Sequence, residues 1–141
     1  MEAKRPKRMT KQRKIILEEL RKLTSHPTAD ELYEIVRARL PRVSLGTVYR
    51  NLEVLSEQGD ILKLESAGSQ KRFDGNPEPH YHIRCVQCGR VGDVEHDGEV
   101  VLPSMEHFHC EGFTIHSQSL EFYGLCADCQ EKLEAREAVG L

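Results

Sequence analysis

The sequence contains no apolar run approaching the ~18 residues that a membrane-crossing helix requires. Its opening stretch, MEAKRPKRMT, is charged and holds no hydrophobic segment of the kind found in secretory signals. Both absences point to a cytoplasmic protein with no membrane partner. A reducing compartment leaves little use for disulfides, so the five cysteines are expected to be metal ligands or redox thiols. An odd count also leaves one of them outside any pairing. The chain is short as well, with 141 residues for one ordinary domain or two small ones. No pocket-forming α/β enzyme core is visible in that length, and the expectation is a protein that is not an enzyme.

What is present is unevenly spread. Hydrophobic residues make up 38% and charged ones 30%, a globular balance. Through Phe73 there are 16 Lys and Arg against 10 Asp and Glu, a net of +6. From Asp74 onward there are 4 against 13, a net of −9, and this part carries 6 of the 7 histidines. Two halves of opposite character suggest two domains with different partners, the basic one facing phosphate and the acidic one holding cations. The plainer alternative is that such charges only keep each half soluble.

The basic half reads as three helices and a hairpin. After the charged tail, Thr10 can cap a helix running to about Lys22, with Ile16, Leu20 and Leu23 on one face. In HPTADELYEIVRARLP, Thr28 is an N-cap, Ala29, Leu32, Val36 and Leu40 form the stripe, and Pro41 stops the helix. Ser44 caps a third helix closed by Gly59, in which Val48, Leu52 and Leu55 point inward. Gly46, Tyr49, Arg50 and Glu53 are left outward. DILKLE (60–65) and QKRFD (70–74) then alternate like strands around the turn SAGS. This order is that of a winged helix-turn-helix, whose third helix enters the major groove of DNA. Arg50 can bond guanine bidentately, and Tyr49 can reach a phosphate or a thymine methyl. Lys11 and Arg13 on the first helix are expected to contact phosphates and make affinity salt-dependent.

Here the residues carry a resemblance. HPTADELY, VSLGTVYRNLEVLSEQG, KRFD, HYHIRCVQCGRV and EFYGLCADC resemble, in order, the segments of the ferric-uptake-regulator (Fur) family of bacterial metal-dependent repressors. The resemblance implies an α+β chain, with an N-terminal winged-helix domain (1–73) and a hinge carrying metal ligands (74–82). A small α/β dimerisation and metal-binding domain (83–141) would follow. It further implies a homodimer on double-stranded DNA, with two recognition helices meeting the half-sites of a pseudo-palindromic operator.

Two cation sites are expected from ligand softness. Cys85-x-x-Cys88 and Cys126-x-x-Cys129 stand 37 residues apart, and two such pairs complete a tetrahedral four-cysteine Zn2+ site. The alternating run FTIHSQSLEFY (113–123) is expected to be the strand that leads into the second pair, and CADCQEKLEAREA a helix behind it. A redox dithiol is the alternative. Asp74, His80, His82 and Asp93 form a separate nitrogen and oxygen set, suited to Fe2+ or Mn2+ rather than a thiophilic ion. His80 and His82 share one face of an extended segment. A polar surface loop would read the same way.

The resemblance adds a fifth ligand, His26, from before the second helix, so that one regulatory ion would join the two domains. Zinc-sensing relatives place a cysteine in this site, and none is present here. Iron sensors carry a longer His/Asp cluster and glutamates where this chain has Asp74 and Asp93; Tyr81 and Gln118 replace ligands of an extra site. The pattern is most similar to the family's peroxide-responsive branch, in which Fe2+-catalysed oxidation strikes a ligand histidine, matching His26 and His80. An iron-responsive repressor of uptake genes is the alternative. Cys110 is expected to be a free thiol, and His96, His107, His109 and His116 surface residues, with His107 and His109 flanking Phe108 at a helix end.

Overall fold

The computed structural model describes residues 9–65 and 70–139. The tail before Met9 and the turn at 66–69 lie outside the described residues. The chain divides into two compact units, Met1–Pro79 with Gly89–Gly92, and His80–Cys88 with Asp93–Leu141. No helix among the described residues is long and apolar enough to cross a membrane.

In the first unit, three helices precede a two-stranded hairpin: α1 (Lys11–Arg21), α2 (Ala29–Val36), α3 (Leu45–Glu57), β1 (Leu62–Leu64) and β2 (Arg72–Asp74). Each helix begins at a hydroxyl. Thr10, Thr28 and Ser44 accept the backbone N–H three residues on, satisfying donors that a helix start leaves open. At α2 the bond is reciprocal, because Glu31 Oε1 also accepts the Thr28 N–H at 3.2 Å. Gly59 takes φ +81° just past α3, and Asp60 N–H returns to Leu55 O at 2.9 Å, an ending that needs a residue without Cβ. α2 ends at Val36, four residues short of the stop expected at Pro41. Leu40, placed before proline, is biased away from α; its N–H still bonds Val36 O, and its side chain packs on the core.

The apolar stripes converge on one core. Ile16, Leu20, Leu32, Val36, Val48, Leu52, Leu55 and Phe73 are fully buried, and Ile61 nearly so. Burying each such side chain contributes roughly 1.5–3 kcal/mol. β1 and β2 pair antiparallel, Leu62 opposite Asp74. Just past β2 the chain passes so close to α1 that a Cβ on Gly75 would lie 3.0 Å from Arg21 Cα. A side chain there would force the backbone of α1 to give by a few tenths of an ångström.

The second unit contains β3 (Tyr81–Cys85), β5 (Phe122–Gly124) and α4 (Ala127–Ala138); β4 (Val91–Val94), whose first two residues belong to the first unit, completes a sheet ordered β4-β3-β5. β3 and β5 run parallel, Cys85 opposite Gly124. The strand expected over 113–123 is reduced to Phe122–Gly124, and the helix end expected at Phe108 is a single 3₁₀ turn, Met105–His107. Residues 113–119 are exposed throughout, so their alternation buries no apolar face against the other described residues.

An ion-pair cluster on the first unit generates a pH prediction. Glu19, its side chain 12% exposed, pairs with Lys22 at 3.0 Å and Arg39 at 3.1 Å. The Lys22 hydrogen bond, with Arg39 adding, holds its carboxyl below the ordinary value near 4.5. A depressed folded-state pKa stabilises above the unfolded value and is lost as pH falls through the folded one. Glu19→Gln is therefore expected to lower stability by about 1 kcal/mol at neutral pH. The difference should shrink in urea melts as pH falls through the lowered pKa of the folded wild-type carboxyl.

Candidate metal centre

The register of β3 against β5 assembles the cysteines. Cys85 ends β3, and Cys88 sits in the turn that follows. Cys126 is the N-cap of α4, and Cys129 lies in its first turn. One sulfur from each lies within 4.8 Å of the other three, all unoxidised, and Cys88 Sγ is 3.7 Å from Cys126 Sγ. Zn–S bonds of about 2.3 Å in a tetrahedron set sulfurs about 3.8 Å apart, so the spacing fits Zn2+ and is far beyond the ~2 Å of a disulfide.

The protonation balance points the same way. Backbone N–H groups of Cys126 and then Cys88 pull the Cys85 thiol down to about 6. The Cys129 N–H lowers Cys126, which also faces the open end of α4. Cys129 is pushed up to about 12, first by its bond to Cys126 and then by burial. The thiolate is thus favoured at Cys85 and Cys126 while Cys129 resists losing its proton beside them, a conflict that a cation would relieve. The second unit also has little else to hold it. Among its described residues, Cys85 and Cys129 are the only buried ones.

The harder donors occur as a pair and a trio. In the first unit His26 is 2% exposed, precedes Pro27, and takes φ +52°. A non-glycine residue in this left-handed region costs roughly 1–3 kcal/mol and persists only where its surroundings hold it. His26 Nε2 lies 3.1 Å from Asp74 Oδ2, while Asp74 Oδ1 accepts the Asn76 N–H at 2.9 Å. In the second unit His80 and His82, rings 4.3 Å apart, turn to one side as their spacing predicts. Their Nε2 atoms lie 2.9 and 3.4 Å from Asp93 Oδ1. All five donors are nitrogen or oxygen, which fits Fe2+ or Mn2+.

On α3, Tyr49 and Arg50 are exposed as expected. Tyr49 is not alone: Lys71 Nζ donates to its hydroxyl at 3.1 Å and lies 5.8 Å from the ring centre. Lys11 is exposed on α1, whereas Arg13 is half-buried, its Nε bonded to Asn51 Oδ1 at 3.0 Å. Lys71, Asn51 and Arg72 escaped the sequence reading. Period-two alternation could have found Arg72, which shares a strand face with Asp74. Cys110 is an exposed free thiol, and His96, His107, His109 and His116 join no group of potential ligands among the described residues.

Removing one sulfur tests the zinc assignment. Cys85→Ser is expected to purify without Zn2+ and to lose amide protection over 122–138 while α1–α3 keep theirs, because metal binding is folding energy in so small a unit. Elemental analysis with hydrogen exchange reads both; full zinc content in the variant would contradict the assignment.

Comparison with known proteins agrees with this geometry. The Ferric uptake regulator family matches residues 4–123. A peroxide-responsive repressor, PerR, of Staphylococcus aureus (strain USA300) is 37% identical over 125 residues, covering 89% of this chain and 84% of that protein. The Campylobacter jejuni peroxide stress regulator superposes with a TM-score of 0.60 at 30% identity, covering 84% of this chain and 88% of that one. The Helicobacter pylori ferric uptake regulator Fur, whose structure is described as having three functional metal-binding sites, gives 0.63 at 25% identity over 86% and 81%. These relatives are regulators, not enzymes. The chain belongs to the ferric uptake regulator family.

Proposed function

We propose that this chain is a cytoplasmic, homodimeric, metal-dependent repressor that leaves its DNA operator when peroxide oxidises a ligand histidine. The observation that carries the reading is the division of donors: a four-sulfur set, and a sulfur-free set of His26, Asp74, His80, His82 and Asp93. The first holds a structural Zn2+ in each subunit. The second holds Fe2+ or Mn2+, with 74–82 as the hinge between a DNA-binding part (1–73) and a dimerising part (83–141). The likeness to repressors named for their peroxide response supports the branch.

Two aspartates and three neutral imidazoles would hold a divalent cation and balance its charge. Bound Fe2+ supplies the one-electron chemistry that turns peroxide into an oxidant of a nearby imidazole, and Mn2+ does not. His26 and His80 are the rings exposed to that oxidant. An imidazole that has gained oxygen donates its lone pair poorly, so affinity for the cation falls. Because the ligands come from both sides of the hinge, the cation favours one arrangement of the subunit by its differential affinity. That arrangement presents Tyr49 and Arg50 to adjacent half-sites of a pseudo-palindrome, with Lys11 and Arg13 toward phosphates.

An iron-responsive repressor of uptake genes is the second reading, favoured by the likeness to the Helicobacter pylori regulator. Operator binding by protein loaded with Fe2+ or Mn2+, before and after a brief peroxide pulse, separates the two. Loss of binding in the iron form alone, with one added oxygen on the peptides carrying His26 and His80, is the expected result. Binding that follows iron and survives peroxide would support the second reading. Arg50→Ala is expected to weaken operator binding by about tenfold or more, the value of one base-edge contact, with zinc content unchanged.

A further inference from the structure

His26 holds its position against two local preferences. Its φ of +52° is one that side-chain-bearing residues rarely adopt, and the proline that follows favours extended backbone. Were the residue to relax to extended geometry, the imidazole would turn away from Asp74. Something must therefore fix the backbone here, and the neighbouring strand β2 does so through three successive residues. Asp74 meets the ring at 3.1 Å. Phe73 N–H donates to Pro27 O at 2.9 Å. Arg72 Nη1 donates to the carbonyl of His26 itself at 3.1 Å.

We propose that Arg72 is a positioning residue for the metal-sensing histidine, its guanidinium bond to the His26 carbonyl holding the left-handed turn that aims the imidazole at Asp74. This rests on His26 and Asp74 being metal ligands. The side chain is well placed for the task. It is 17% exposed, and the same Nη1 lies 3.2 Å from Glu31 Oε1. That carboxylate in turn accepts the Thr28 N–H, so Arg72 is anchored to the start of α2 on the far side of the turn it holds. Because the donor is charged and partly shielded from water, its bond to the carbonyl is stronger than a neutral one. Glu31 restrains the guanidinium but does not touch His26; the carbonyl bond is the part that reaches the ligand.

Mn2+ binding to the full-length, zinc-loaded protein tests this without peroxide chemistry. Arg72→Met keeps the stem and removes the donors. It is expected to weaken Mn2+ by about tenfold or more, the usual consequence of losing a partner that orients a ligand. Amide exchange at Phe73 in the Mn-free protein should speed up in the same variant, while exchange in α1 and α3 stays as in the parent. Glu31→Gln, which still caps α2 and leaves the carbonyl bond, is expected to bind Mn2+ within about twofold of the parent. Arg72→Lys, with one shorter donor, should fall between them, and it carries the test if Arg72→Met fails to fold. Parent-like Mn2+ affinity in both Arg72 variants would overturn the proposal. So would a loss in Glu31→Gln equal to that in Arg72→Met, because the ion pair would then be the cause. If His26→Ala binds Mn2+ as tightly as the parent, the ligand assignment itself has failed, a result distinct from the other two.

Discussion

Four sulfur atoms held within 4.8 Å of one another are the constraint on which the second unit depends. Backbone N–H groups favour the thiolate at Cys85 and Cys126, while Cys129 resists losing its proton beside them. A divalent cation resolves that conflict and supplies cohesion that the unit otherwise lacks. The only buried residues among its described ones are two of the cysteines, whereas the first unit buries a continuous aliphatic core around Phe73. One part folds on hydrophobic burial, the other on metal coordination. The strand pairing of β3 with β5 serves chiefly to deliver Cys85 beside the start of α4.

The contrast between the two donor sets follows from the same logic. The sulfur set is pinned at both ends, by a strand terminus and a helix cap, and leaves a tetrahedral ion no open position. The histidines and aspartates are less constrained, and one of them depends on a strained backbone. The two donor sets thus divide along the softness of their ligands.

Within the first unit, β2 has a larger part than its three residues suggest. Phe73 is buried in the core, Arg72 and Asp74 reach His26, and Lys71 just before the strand engages Tyr49 on α3. One short strand therefore touches both the turn at His26 and helix α3. Alternation explains the division of labour, since Phe73 enters the apolar core and its two neighbours share the opposite strand face.

Much of this was legible in the order of residues. Helix caps at Thr10, Thr28 and Ser44, the apolar stripes and the paired CxxC motifs are local signals, each set by interactions within a few positions. The same-side placement of His80 and His82 followed from the two-residue period of an extended chain. The long strand expected over 113–123 did not form, because alternation is only half of a strand; the other half is a surface to pair with. Nor could spacing reveal the left-handed turn at His26, the grip of Arg72 on its carbonyl, or Asn51 holding Arg13. The sequence by itself determined which residues could bind soft and hard cations and where helices begin. Tertiary structure alone decided how His26 is aimed, because its conformation opposes local preference and exists only while a strand 46 residues away holds it.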